Sequence, residues 1–185
     1  KSYFKTFLSK NKNVRIASAR AGNVIGGGDW ASNRLIPDCV RACSKNKKLQ
    51  VRNINSTRPW QHVLEILSGY LTLGYRLKID KDINGESFNF GPNKGPYTVK
   101  KILTLMKKNW EIIHWQVDKK KIFLESKLLQ LNINKAKKKL KWKPLLNIDQ
   151  TVYLVVEWYK NYYLNKKILT HKQIEFFSKK LKIKL

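Results

Sequence analysis

Four glycines fall within seven residues, Gly22, Gly26, Gly27 and Gly28, directly after the stretch Val14-Arg15-Ile16-Ala17-Ser18-Ala19-Arg20. A strand that runs into a glycine-dense loop and then into a segment of helical spacing is the beginning of an alternating α/β chain. The helical segment is Leu35 to Ser44, with Leu35, Val40 and Cys43 among its apolar positions. A loop of this kind raises the question of a phosphate cradle. A P-loop needs Gly-Lys-Ser/Thr opening a helix, so that backbone amides and the helix N-terminus face the phosphate. Asp29-Trp30 stands there instead. The G-x-G-x-x-G dinucleotide fingerprint is absent throughout the chain. The stronger reading is a tight loop that needs positive φ or close packing, with phosphate binding as the weaker one.

The rest of the chain continues the alternation. Tyr3, Phe4, Phe7 and Leu8 are spaced as the tail of a helix, with no N-cap before them. Leu49 to Arg52 and Ile112 to Val117 read as strands, and so does Ser87 to Phe90, stopped by Gly91-Pro92. His62 to Lys78 is the clearest helix, with Val63, Ile66, Leu67, Tyr70, Leu71, Gly74 and Leu77 on its predicted inner face. Thr98 caps a helix through Trp110, with Val99, Ile102, Leu103 and Met106 on one face. Asn132 or Asn134 caps a short helix to Leu140. Asp149 caps another to about Tyr163, with Val152, Val155, Val156 and Tyr159 inward. Thr170 starts the last, with Ile174, Phe177 and Leu181. The region after Gly91 is the more helical.

Charge and cysteine content narrow the partners. The formal net charge is +27, but seven Arg stand against 32 Lys spread along the chain. Base-edge readout favours Arg, so a Lys-rich solvated surface is the expected meaning and a nucleic-acid-binding module the alternative. No apolar run reaches the ~18 residues of a membrane span. The absence of a signal-like segment makes the cytoplasm the expected compartment. Phe176 and Phe177 beside Lys179 to Lys184 leave a basic amphipathic membrane helix as a minor reading. Cys39 and Cys43, four apart on a helix, read as core thiols, since no further Cys or His lies at zinc-finger spacing. His62, His114 and His171 form no triad or metal spacing, and the 12 acidic residues include no dyad. Arg58-Pro59-Trp60-Gln61-His62 pairs a cation with an indole before the long helix. Arg58 suits a phosphate, while Trp60 either fills the core or packs on a base.

Several blocks together resemble one family. They are Arg20-Ala21-Gly22-Asn23-Val24-Ile25-Gly26-Gly27-Gly28-Asp29-Trp30-Ala31, Arg34-Leu35-Ile36-Pro37-Asp38, Thr57 through Glu65, and Gly85 through Pro92. Weaker matches follow at Lys135-Ala136, Leu140, Trp142, Pro144, Trp158-Tyr159, Thr170 and Gln173-Ile174. The chain resembles the CDP-glucose 4,6-dehydratases of the extended short-chain dehydrogenase/reductases, from about residue 1 to 177.

The resemblance implies an NAD-dependent dehydration of CDP-glucose to CDP-4-keto-6-deoxyglucose; another nucleotide-sugar epimerase or dehydratase is the nearest alternative. It also implies that this is the C-terminal half. The Tyr-x-x-x-Lys pair, the Gly-rich NAD motif and the elimination acid/base groups are then expected upstream of Lys1. NAD is expected to be bound mainly by that other half, and the 185 residues alone are expected to be inactive. The expected fold is a remnant of a Rossmann-type parallel sheet, residues 1–22 and 62–91, plus a smaller, mostly helical nucleotide-sugar domain, residues 23–61 and 92–185. The strands at 14–20 and 87–90 are expected to lack parallel neighbours and to make the isolated chain poorly soluble. The full enzyme is expected to be a homodimer, with neither nucleic acid nor membrane as partner. Carried over residue by residue, Asn23 would touch the sugar-nucleotide, and Arg34 and Leu35 would line the substrate. Gln50, Val51 and Arg52 would lie at the base, Arg58 at the diphosphate, and Asn89 at a second polar contact. Leu124-Glu125 departs from the family's His-Glu, and no role is carried over to it.

Overall fold

The computed structural model describes residues 2–8, 10, 13–118 and 130–182. A short π-helical turn, Phe4–Leu8, leads into β1 (Ser18–Ala21) and, after Gly22, β2 (Asn23–Ile25). Next come α1 (Leu35–Cys43), β3 (Leu49–Val51), β4 (Thr57–Arg58), β5 (Trp60–His62) and α2 (Val63–Ile79). β6 (Ser87–Phe90), β7 (Tyr97–Thr98), α3 (Val99–Asn109) and β8 (Trp115–Val117) follow. A π-helical turn, Ala136–Leu140, precedes α4 (Ile148–Asn165) and α5 (Thr170–Lys180).

The strands form four short pairs. β1–β6, β2–β5 and β3–β8 are parallel, and β4–β7 is antiparallel. The expectation that the strands near 14–20 and 87–90 have no parallel neighbours is therefore corrected. They are each other's neighbour, with Ser18 opposite Ser87 and Ala21 opposite Phe90. The segment between them, residues 22–86, contains α1 and α2 and supplies the long crossover that a parallel pair requires.

Two main apolar clusters organise the packing, beside a minor one of Leu146, Leu154 and Phe177. The larger joins α1, α3 and α4 around Cys39, Val40, Ile102, Met106, Trp110, Val155 and Tyr159. Both cysteines are free and buried in it, as expected for core thiols. The smaller lies under β1 and β6 and joins Ile66 and Leu73 of α2 to Phe88, Phe90, Ile133 and Trp142. There Gly69 is required by close approach, because a Cβ would meet the Phe90 ring at 2.5 Å.

Three local expectations are corrected. The N-cap of α4 is Asn147, in a reciprocal capping box with Gln150, because Asp149 already lies inside the helix. On α2 the buried residues are Glu65, Ile66, Gly69 and Leu73, whereas Leu67, Tyr70 and Leu71 are exposed. The helix is apolar on more than one face, so periodicity alone does not choose the buried one; of the expected inner residues Ile66 is buried and Leu77 packs partly buried against the core. On α5, Gln173 and Phe177 turn inward and Ile174 outward, because the Gln173 amide finds the Leu154 carbonyl at 2.8 Å.

Candidate functional site

The main cleft, about 670 Å³, opens between β2, the N-terminus of α1, β3 and the segment that ends in β4. Its shape follows from the loops. β2 is laid against β5 with Asn23 opposite Trp60, which fixes the start of the glycine loop on the cleft wall. Gly22 is held there because a Cβ would meet the Pro59 carbonyl oxygen at 2.5 Å. Gly28 takes φ +77, the left-handed region open to glycine, and turns the loop back. Gly27 lies flat against the Trp158 indole, where a Cβ would come within 2.0 Å of the ring. These packing and turn roles are those expected from the sequence.

The loop then returns to Arg34, the extended N-cap residue of α1, and Leu35, the first helical one. On the opposite wall, Gln50, Val51 and Arg52 come from β3 and its end, and Arg58 from β4. β4 is fixed by its pairing with β7, Arg58 opposite Tyr97. Trp60 is buried, with its indole N–H donating to the Tyr97 carbonyl at 3.1 Å, and one edge of it still reaches the cleft.

Five of the six residues assigned to binding from the sequence, Asn23, Arg34, Leu35, Arg52 and Arg58, thus line one cleft, and so do Gln50 and Val51. Asn89 is not among its lining residues. It lies on β6 opposite Arg20, where its amide nitrogen donates to the Asn132 carbonyl at 3.2 Å. Leu124-Glu125 lies outside the described residues.

The chemistry of the lining is lopsided. Three guanidinium groups, Arg34, Arg52 and Arg58, share it with the positive N-terminal end of α1. Asn23, Gln50, Asn53 and Ser56 add neutral polar groups, and Leu35, Val51 and Val99 add apolar surface. Its acids are Asp29, paired with Arg34 at 3.1 Å, and Asp38, paired with Arg41. Such a cleft can hold an anion by charge-assisted hydrogen bonds and a flat polar ring by side-chain contacts. Among the described residues the cleft is lined mainly by Arg, Asn, Gln, Ser and apolar side chains, a set suited to holding an anionic polar ligand. No cluster of three or more metal-ligating side chains occurs among the described residues.

Three buried polar residues of β5 and the first turn of α2 have roles that spacing along the sequence does not show. Glu65 is buried, its Oε1 accepting from the backbone N–H groups of Leu145 and Leu146 at 2.7 and 2.5 Å, and burial raises its carboxyl. Gln61 donates to the Phe90 carbonyl at 2.8 Å. His62 caps α2 by accepting from the Leu64 N–H at 3.3 Å, and burial pushes its imidazole down to about 4. Only Glu65 had a local signal, an acid in the first turn of a helix.

No family model matches the chain. It is 40% identical over 161 residues to the CDP-glucose 4,6-dehydratase of Salmonella typhimurium (strain LT2), covering 86% of this chain and 45% of that protein. UDP-glucuronic acid 4-epimerase from Bacillus cereus, solved with UDP-glucuronic acid and NAD, superposes with a TM-score of 0.70 at 19% identity, over 86% of this chain and 48% of that one. UDP-glucose-4-epimerase from Stenotrophomonas maltophila, solved with NAD and formylated UDP-arabinopyranose, gives 0.73 at 13% identity, over 86% and 52%.

The fold is therefore shared with these two epimerases, and the chain spans about half the length of the proteins it matches. The sequence likeness is to CDP-glucose 4,6-dehydratase, as the glycine-loop and Arg58–Glu65 blocks led one to expect.

Proposed function

We propose that this chain is the substrate-holding portion of an NAD-dependent dehydratase that converts CDP-glucose to CDP-4-keto-6-deoxyglucose. The observation that supports it most is the convergence of Asn23, Arg34, Leu35, Arg52 and Arg58 on one cationic cleft. In this reading Arg58 and Arg34 grip the diphosphate, Asn23 orients the sugar, and Gln50 to Arg52 flank the base. The guanidinium fork matches phosphate oxygens in geometry as well as charge. Asn89 stays a candidate polar contact only if the ligand extends beyond the cleft.

The described residues do not fit NAD itself. The glycines that could form a cradle are occupied in packing against Pro59, Val63 and Trp158. The hydride chemistry and the acid/base groups of a lyase would come from the portion of such an enzyme that this chain does not match, and the chain alone is expected to be inactive. Residues 1–22 and 62–91 would belong to the dinucleotide-binding layer, and 23–61 with 92–185 to the nucleotide-sugar unit. The parallel β1–β6 pair supports that division, because it is the start of a sheet that more strands can extend. The whole enzyme would be a cytoplasmic homodimer.

The test is ligand-induced stabilisation of the 185-residue chain by CDP-glucose, compared with UDP-glucose and dTDP-glucose. A rise in the unfolding midpoint largest with CDP-glucose is expected, and Arg58→Ala should weaken binding by about tenfold or more, the scale of a lost charged hydrogen bond. Equal stabilisation by all three would point to a different epimerase or dehydratase. No stabilisation by any, with steeply salt-dependent binding to polynucleotide, would favour the nucleic-acid module instead.

A further inference from the structure

Asp29 ties three parts of the molecule together. Its backbone carbonyl accepts from the Tyr159 hydroxyl at 2.6 Å. Its Oδ1 accepts from the Ala31 N–H at 3.0 Å, and its Oδ2 from Arg34 Nη1 at 3.1 Å. Tyr159 itself is fully buried in α4, a helix that contributes nothing to the cleft lining.

The contact is backed by a wall of rings. Trp30, next to Asp29, packs against Tyr159 at 5.4 Å, Tyr162 at 5.1 Å and Trp158 at 6.2 Å between ring centroids. Gly27 lies on Trp158 from the other side of the loop. Residues 27–31 are therefore pinned to α4 at three points: a glycine face, an indole with one side on the α4 rings and the other open to solvent, and one hydrogen bond. An exposed Asp–Arg pair normally contributes little, because both side chains lose freedom in forming it. Here the Asp29 carboxylate is already held through its own backbone and through Ala31, so the ordering cost falls on Arg34 alone.

We propose that Tyr159 is a positioning residue for the cleft: its hydroxyl latches the Asp29 backbone, and the Asp29 carboxylate then aims Arg34 at the ligand's phosphates. Arg34 uses one nitrogen on Asp29 and keeps its other N–H groups for the anion. The inference rests on reading the cleft as a nucleotide-sugar site.

The experiment is a double-mutant cycle on the 185-residue chain with CDP as the probe. With Tyr159 in place, Arg34→Ala is expected to weaken CDP binding about fivefold, and in the Tyr159→Phe background by less than about twofold. Phenylalanine keeps the ring packing, so a preserved unfolding midpoint shows that the wall is intact. Asp29→Asn, which keeps the carbonyl but loses the charge, should also make Arg34→Ala nearly silent. Equal losses from Arg34→Ala in the native and Tyr159→Phe backgrounds would overturn the proposal. Amide exchange is read on the ligand-free chain. Tyr159→Phe should speed exchange at Ala31 about tenfold, and unchanged exchange would also overturn the latch. If the unaltered chain binds no CDP, the nucleotide-sugar reading and the role of Arg34 both fall. Faster exchange at Ala31 then still identifies the latch, so the two failures are told apart.

Discussion

α2 and α4 are nearly the same length, 17 and 18 residues, yet they are buried very differently. α4 buries Ile148, Thr151, Val152, Leu154, Val155, Val156, Trp158 and Tyr159. α2 buries Glu65, Ile66, Gly69 and Leu73, and leaves Leu71 75% and Tyr75 64% exposed, with Leu67 and Ile79 also open. The reason lies in what stands opposite. α4 has α3 on one side and β5 on another, and the glycine loop crosses its aromatic end. α2 has a two-stranded sheet and the turn at Ala136–Leu140. A helix with apolar residues on several faces buries only as many faces as it has neighbours. The α4 side is a finished core, and the α2 side is a layer with one face covered.

That contrast can be broken or sharpened by substitution. The largest effect is expected in the closed cluster. Trp110 is buried against the α3–α4 core, and Trp110→Ala should cost about 3–5 kcal/mol in denaturant unfolding. A loss near the surface value would mean that the α4 side is no more finished than the α2 side.

Next comes the junction between the two. The His62 imidazole is held down at about 4, against an ordinary 6.5, by burial at the head of α2. The unfolded chain therefore takes up the proton first as pH falls. Stability is full above the ordinary value and is lost as pH drops from 6.5 towards 4, by about 2–3 kcal/mol. The raised Glu65 carboxyl acts in the opposite sense, favouring the folded state at acid pH. Acid-unfolding curves of the unaltered chain and His62→Gln differ only in the first contribution, and the variant should lose that slope.

The smallest effect on stability is expected on the open face. Leu71→Ser should change stability by no more than about 0.5 kcal/mol, yet reduce self-association in sedimentation at high protein concentration. A large destabilisation would show that Leu71 is covered in solution.

Much of the fold could be read from residues close in sequence. The helix Val99–Asn109 follows from the Thr98 cap and apolar spacing, the helices Leu35–Cys43 and Thr170–Lys180 from spacing alone, and the glycine loop from its position after a strand. The α4 cap was missed by two residues because Asp149 and Asn147 both satisfy the local rule, and only the Gln150 side chain folding back chooses between them. The candidate cleft was legible through the motif blocks, and five of six assigned residues reach it. Glu65 carries the local signal of an acid in the first turn of a helix, but its partners, the backbone N–H groups of Leu145 and Leu146, lie eighty residues on, so its role as their acceptor is not legible from spacing.

The sequence by itself determined the alternation of strands and helices, the buried thiols, the basic solvated surface and the likeness to CDP-glucose 4,6-dehydratase. These are properties of residue type and short-range spacing. Tertiary structure decided which face of α2 is inward, that β1 and β6 pair, and that Tyr159 reaches Asp29. Each depends on contacts between segments far apart along the chain, and burial is a property of the neighbour as much as of the residue.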